Sequence, residues 1–262
     1  MSPTAPPALF LLGAAVGAFG TLIGAGGGFL LLPLLMVLSS NPPASLASVS
    51  LAVVALNALS GTIAYAWRKR IDYRLAAVLG AVSMPTAGVG ALLTARLTRP
   101  TFDAMFGLLL LVLAAVLLLR PRARRSGRGP AVDGREAGHR ASTSVMGLAA
   151  TAVVGFLSGL IGIGGSPLQV VVLTHVLGVP AQSAMPTAQF MVLLSALAGL
   201  AVHAATGHFQ ADVASLAPLG LGALLGAQFG ASLAERVSEG RLIRLLALAL
   251  LTLGVRLLSA AL

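Results

Sequence analysis

Two glycine-rich runs are the residues in this chain best placed to do chemistry: Gly24-Ala-Gly26-Gly27-Gly28-Phe-Leu-Leu-Leu-Pro33 and Gly162-Ile-Gly164-Gly165-Ser166-Pro167-Leu-Gln169. Three chemistries compete for them. A dinucleotide-binding loop needs a strand before it and an acidic residue about 20 positions on. Neither is present, so that reading is excluded. Close helix packing is the plain reading, because Gly13 and Gly17, and Gly20, Gly24 and Gly28, recur at spacing four, and small residues at that spacing let membrane helices approach. The third reading is a broken helix. Glycine permits the left-handed backbone that a break needs, and a half-helix starting after it aims unpaired N–H groups at the gap, where an anion can sit.

Side chains that could assist an anion site are neutral. Ser48, Ser50 and Asn57 follow the first run; Ser166, Gln169, Thr187, Gln189 and Ser195 belong to or follow the second. Interhelical hydrogen bonding, worth about 0.6 kcal/mol on average, competes with function at each. Gln169 and Gln189 weigh toward function, since burying a primary amide without partners is costly. His175 and His203 lie within apolar segments and are the candidates for carrying a proton with a substrate, whereas His139 and His208 read as solvated. All seven acidic residues fall at span ends or between spans. A cation carrier would usually place a carboxylate inside the membrane. No cysteine, paired carboxylate, hydrolytic triad or His-rich metal motif is present, and neither a metal nor a cofactor is expected.

The elements that must position these groups are set by apolarity. Hydrophobic residues make up 57% of the 262 and charged residues 9%, with a mean hydropathy of +0.97. A soluble domain would carry roughly 25% charged residues, so lipid must solvate most of this surface. A helix needs about 20 apolar residues to cross about 30 Å of hydrocarbon. Residues 44–67, 75–95, 101–119, 182–205, 213–234 and 242–262 meet that, while 9–38 and 145–178 are too long for one span and carry the glycine runs. Residues 1–8 lack Lys and Arg and do not read as a cleavable signal peptide.

The chain also repeats itself. Gly17 through Gly27 lies over Gly155 through Gly165, and 155 minus 17 and 162 minus 24 both give 138. Pro42 and Pro180, Ser45 and Ser183, Gly61 and Gly199, and Gly88 and Gly226 keep the same offset. We therefore expect repeats over 1–119 and 143–262, joined by an Arg-rich cytoplasmic linker over 120–142. The excess of 17 basic over seven acidic residues falls between apolar runs. That distribution points to cytoplasmic loops near anionic lipid rather than to nucleic acid. Positive charge at 68–74, 120–140 and 236–244 shares one side only if each glycine-broken segment turns back and the second half is inverted, with both termini outside. Eight simple spans is the rival topology.

The motifs together resemble the sulfite exporter TauE/SafE family of bacterial membrane permeases. The resemblance rests on Gly24-Ala-Gly-Gly-Gly28 with the apolar run ending in Pro33, and on Gly155-Phe-Leu-Ser-Gly-Leu-Ile-Gly-Ile-Gly-Gly165 with the later Pro186-Thr-Ala-Gln189. It implies an all-α polytopic protein of the bacterial plasma membrane that moves sulfite, thiosulfate, sulfoacetate or similar small anions. One departure, Ser166 in place of the third glycine, adds a hydroxyl to the second run. The expected function is a gradient-driven anion permease, since no ATP-binding motif is present; an anion channel, a membrane scaffold and an intramembrane enzyme are the alternatives. The expected substrate-binding residues are Gly24, Gly26, Gly27, Gly28, Ser50, Asn57, Gly162, Gly164, Gly165, Ser166, Gln169, Thr187 and Gln189.

Overall fold

Long runs of Leu, Ala and Val leave the backbone to satisfy its own hydrogen bonds, which in lipid means helix or closed barrel. The computed structural model describes residues 6–22, 28–38, 41–119, 144–209, 213–233 and 239–261, and all regular structure among them is helical. The first half contains α1 (Pro6–Leu22), α2 (Gly28–Leu38), α3 (Pro43–Trp67), α4 (Tyr73–Thr94) and α5 (Arg99–Leu119). The second contains α6 (Val145–Ile161), α7 (Ser166–Val171) continuing into a π-helical turn (Val172–Val176), α8 (Ala181–Ala205), α9 (Val213–Leu233) and α10 (Glu239–Ala261). Among the described residues, Pro43–Trp67, Tyr73–Thr94 and Ser183–Ala205 are each long and apolar enough to cross a bilayer.

Helix ends follow from local chemistry. Asp72 accepts the Leu75 N–H at 3.1 Å and starts α4, and Ser144 accepts the Gly147 N–H at 3.1 Å and starts α6. Such side-chain caps satisfy orphan amides of the first turn. Gly162 ends α6 in the left-handed region (φ 77°), its N–H bonded to the Ser158 carbonyl at 2.9 Å.

Glycine contacts give the helix directions. Phe10 meets Gly222 and Ala14 meets Gly226, so α1 and α9 run parallel. Ser83 meets Gly155 and Ala87 meets Gly159, so α4 and α6 run parallel as well. Leu51 lies on Gly199 and Gln189 on Gly61, which makes α3 and α8 antiparallel; Gly107 meets Leu258 and Gly254 meets Leu111, which makes α5 and α10 antiparallel. Gly80 meets Leu194 and Gly88 meets Val202, so α4 runs with α8. Leu56 meets Gly220, and Gln228 donates to the Ser60 hydroxyl at 2.8 Å, so α3 runs with α9.

Two consequences follow. α1 and α3 point the same way, so α1 and α2 together enter the bundle and return to the end where α3 begins. By the same reasoning α6 and α7 enter from the opposite end and return to the start of α8. Each of these pairings also survives exchange of the elements of one half for those of the other: α1 with α9 becomes α6 with α4, and α3 with α9 becomes α8 with α4.

The plain packing reading of the early glycines holds where it can be checked. A methyl at Gly13 or Gly17 would overlap the α9 backbone at Leu219 or Ala223, and one at Gly159 would overlap the Ala87 carbonyl. The hydrophobic centre that α2 and α5 share is built from Leu31, Leu32, Phe102, Phe106 and Leu110, all buried.

Candidate functional site

The second glycine run is a true break. Gly162, Gly164 and Gly165 all have left-handed backbone, with φ of 77°, 73° and 71°. Three such residues in four positions cannot continue a helix. The chain therefore reverses, and Gln169 donates its N–H to the Gly165 carbonyl at 2.9 Å as α7 begins. Of the first run, Gly24, Gly26 and Gly27 lie outside the described residues; Gly28 opens α2.

The two half-helices meet deep in the bundle. A methyl at Gly28 would overlap the Val54 side chain and lie 2.7 Å from the Ile163 carbonyl oxygen. A methyl at Gly162 would lie 2.7 Å from the Ala47 α-carbon, and one at Gly164 would overlap Val54 and lie 3.2 Å from Val192. Val54 and Val192 sit near the middles of α3 and α8, so the opening of α2 touches the second break at mid-depth.

One stripe of α3 faces this junction. Ala47 meets Gly162, Val54 meets Gly164 and Gly61 meets Gln189, and the helical spacing that joins them, steps of three and four, also contains Ser50 and Asn57. Ser50 is 0% exposed and Asn57 4%. The Gln189 amide nitrogen lies over Gly61, 2.8 Å from where a β-carbon would stand. Around the break, the Ser50 hydroxyl, the Ser158 hydroxyl and both amide atoms of Gln169 are buried without a hydrogen-bond partner in the protein. Thr151 is in the same state two turns before Ser158 on the same face of α6.

A match to the family model described as "Sulfite exporter TauE/SafE" covers residues 9–257. This chain belongs to the sulfite exporter TauE/SafE family. The chain is also similar to two proteins of Bacillus subtilis (strain 168) described as membrane transporters. "Probable membrane transporter protein YunE" is 30% identical over 267 residues, covering 95% of this chain and 96% of that protein. "Probable membrane transporter protein YjnA" is 28% identical over 258 residues, covering 95% of this chain and 98% of that one. No solved structure matches. The TauE/SafE chain is thus a multi-pass bacterial membrane transporter.

The structure brings some of the expected site residues of this TauE/SafE protein together and separates others. Gly28 and Gly164 meet Val54 at the junction, Gly162 lies against Ala47 and Gly165 against Ser158, and Ser50 and Asn57 lie on the same face of α3. Gln169 is buried in the first turn of α7 just after the break, and Gln189 lies over Gly61 further along α3. Ser166 opens α7 next to the break; its side chain lies outside the described residues. Thr187 is elsewhere: its hydroxyl accepts the Asp72 N–H at 3.2 Å and ties α8 to the start of α4. His175 is exposed in the π-helical turn, with Nδ1 2.8 Å from the Thr174 hydroxyl. His203 is buried at the far end of α8, its ring 6.5 Å from that of His208 and both nitrogens without a partner.

Sequence reasoning missed Arg99. Its guanidinium bonds Asp103 at 2.8 and 3.1 Å, the Asn41 carbonyl at 2.7 Å and the Met36 carbonyl at 2.6 Å. The Arg99–Asp103 spacing of four was a signal for the ion pair, but nothing in the sequence linked it to the last turn of α2. Ser158 and Thr151 were also missed, although Ser158 lies inside the repeated glycine motif.

Proposed function

We propose that this chain is a secondary permease for small anions, chiefly sulfur-containing oxyanions or organosulfonates, which it binds between the two glycine-rich breaks. The observation that carries this reading is the contact of Gly28 with the Ile163 carbonyl, beside Gly164 against Val54 and Val192. Irregular backbone at membrane depth is tolerated only where protein buries it or where it lines a cavity. Among the described residues no charged side chain shares that junction, so an anion there is held by backbone N–H groups, hydroxyls and amides. The family's printed name supports sulfite as the reference substrate.

The arrangement of the halves supports alternating access. Equivalent helices run oppositely, and positive charge gathers at one end: Arg68, Lys69, Arg70 and Arg74 join α3 to α4 there, and the Arg-rich 120–142 stretch joins α5 to α6 there. That end is cytoplasmic by the positive-inside rule. Each half then contributes one hairpin from its own side of the membrane and three full crossings, and rocking of one half against the other exposes the junction to either side.

The test is uptake into proteoliposomes across labelled sulfite, thiosulfate, sulfate, sulfoacetate and acetate. The expected result is saturable uptake of a sulfur anion with trans-stimulation. Linear, non-saturating flux favours a channel instead. Flat traces from folded protein return the glycines to packing and remove the permease reading.

A further inference from the structure

Positions related by the sequence repeat carry unmatched polar groups. Gln169, 1% exposed, has neither Oε1 nor Nε2 satisfied, and the Ser50 and Ser158 hydroxyls are buried and unsatisfied as well. The offset of 138 relates Gln169 to Leu31, Ser158 to Gly20 and Ser50 to Ala188. Leu31 and Ala188 are themselves buried. Side-chain recognition therefore belongs to the second hairpin and the adjoining face of α3, while the equivalent places on the first hairpin (Leu31, Gly20) and on α8 (Ala188) offer apolar surface or no side chain.

The chemistry of these groups restricts what they can hold. A hydroxyl donates or accepts, but the two ends of an amide are fixed: Nε2 only donates and Oε1 only accepts. A ligand made of acceptor oxygens alone satisfies Nε2 and leaves Oε1 orphaned in a buried place, which is unfavourable. A ligand that also bears an O–H meets both. Its charge must be borne by neutral donors. Neither α6 nor α7 carries an ionisable residue; α3 has Tyr65 near its cytoplasmic end, α8 has His203 near the opposite end, the π-helical turn has the exposed His175, and α4 has Asp72, Tyr73 and Arg74 only at its start. One negative charge suits such a site better than two.

We propose that the second break selects a singly charged anion that also carries a hydrogen-bond donor, a hydrogen oxyanion or a hydroxylated sulfonate, and that the Gln169 carbonyl reads that donor. This rests on the permease reading above. Gln169 is then the specificity-determining residue, with Ser50 and Ser158 supplying donors to the anionic oxygens.

The experiment uses the full chain in proteoliposomes. Uptake of 2-hydroxyethanesulfonate is compared with that of ethanesulfonate, which has the same charge and lacks the hydroxyl. Uptake of sulfite is compared across the pH range where hydrogen sulfite becomes the dianion, with thiosulfate, a dianion throughout, reporting any titration of the protein itself. A site built around a donor should prefer the hydroxylated sulfonate by about tenfold or more, and sulfite uptake should fall relative to thiosulfate as the dianion forms. Gln169→Met, near-isosteric and apolar, should unfold at an equal or higher temperature without ligand and should lose both preferences. If that variant does not fold, the wild-type ratios still decide. Equal uptake of the two sulfonates, sulfite uptake that rises as the dianion forms, or preferences retained in Gln169→Met overturn the proposal and leave the permease reading standing. Flat traces for every probe overturn both.

Discussion

Gly164 and Gly178 both have left-handed backbone, with φ of 73° and 66°, yet their surroundings differ. Nothing lies within 4 Å of a methyl at Gly178, whereas one at Gly164 would overlap Val54 and press on Val192. Gly178→Ala therefore carries the backbone penalty alone, about 1–2 kcal/mol. Gly164→Ala adds overpacking of about 1–3 kcal/mol. Thermal unfolding in detergent should rank Gly164→Ala well below Gly178→Ala, and only the former should abolish uptake. A second comparison isolates function from stability. The Ser50 hydroxyl is buried without a partner, so Ser50→Ala removes an unmet hydrogen-bonding group and should leave the unfolding temperature unchanged or raised. If Ser50 holds the anion, uptake should nevertheless fall several-fold.

At the scale of elements, the α1–α2 hairpin is held in two ways. Along α1, Gly13 and Gly17 bring its backbone against that of α9, and a Leu at Gly17 should prise the pair apart and lower yield of folded protein in the membrane. At the end of α2, Arg99 caps the Met36 carbonyl and reaches Asn41 while Asp103 fixes its guanidinium. Orphan carbonyls of a last helical turn need partners when buried. Hydrogen bonds to charged groups contribute about 1.5–3 kcal/mol each, and Arg99 is about a quarter exposed (27%), which reduces that figure. Arg99→Gln should loosen the return arm, seen as faster amide hydrogen exchange over α2 than over α3. Unchanged exchange would mean that packing alone holds the hairpin. The residues of the second half equivalent to Arg99 and Asp103 are Val237 and Arg241, so the same ion pair is not encoded there; the return arm of the second hairpin ends in the π-helical turn, where Leu177 donates to the Val172 carbonyl at 3.0 Å.

For the whole molecule the sharpest claim is orientation. The chain contains no cysteine, so single cysteines report cleanly on sidedness. Lys69→Cys should be shielded from a membrane-impermeant maleimide in intact cells and labelled after disruption. Thr206→Cys, exposed just beyond α8 at the opposite end, should be labelled from outside. Labelling of both from one side would contradict the inverted arrangement, because α3 and α8 run oppositely and end at opposite faces.

Much of this protein could be read from its residues. Apolar runs of sufficient length dictate membrane helices, since lipid offers the backbone no partner. The expected spans at 44–67, 75–95 and 182–205 accordingly coincide with α3, α4 and α8 within a few residues at each end. The break at Gly162–Gly165 was legible because only glycine tolerates consecutive left-handed positions, and family membership because the duplicated motif keeps its spacing. What a residue touches across the bundle was not legible. Thr187 looked like a site residue and serves as an anchor for Asp72, while Ser158, Thr151 and Arg99 looked ordinary and proved to be buried at the hairpins or clamped to one. Helical spacing places a side chain on a face, but the neighbouring helix decides whether that face meets a carbonyl, a second break or nothing. Those contacts join residues 58 to 115 positions apart, where local propensity and periodicity carry no information, and only the tertiary structure fixes them.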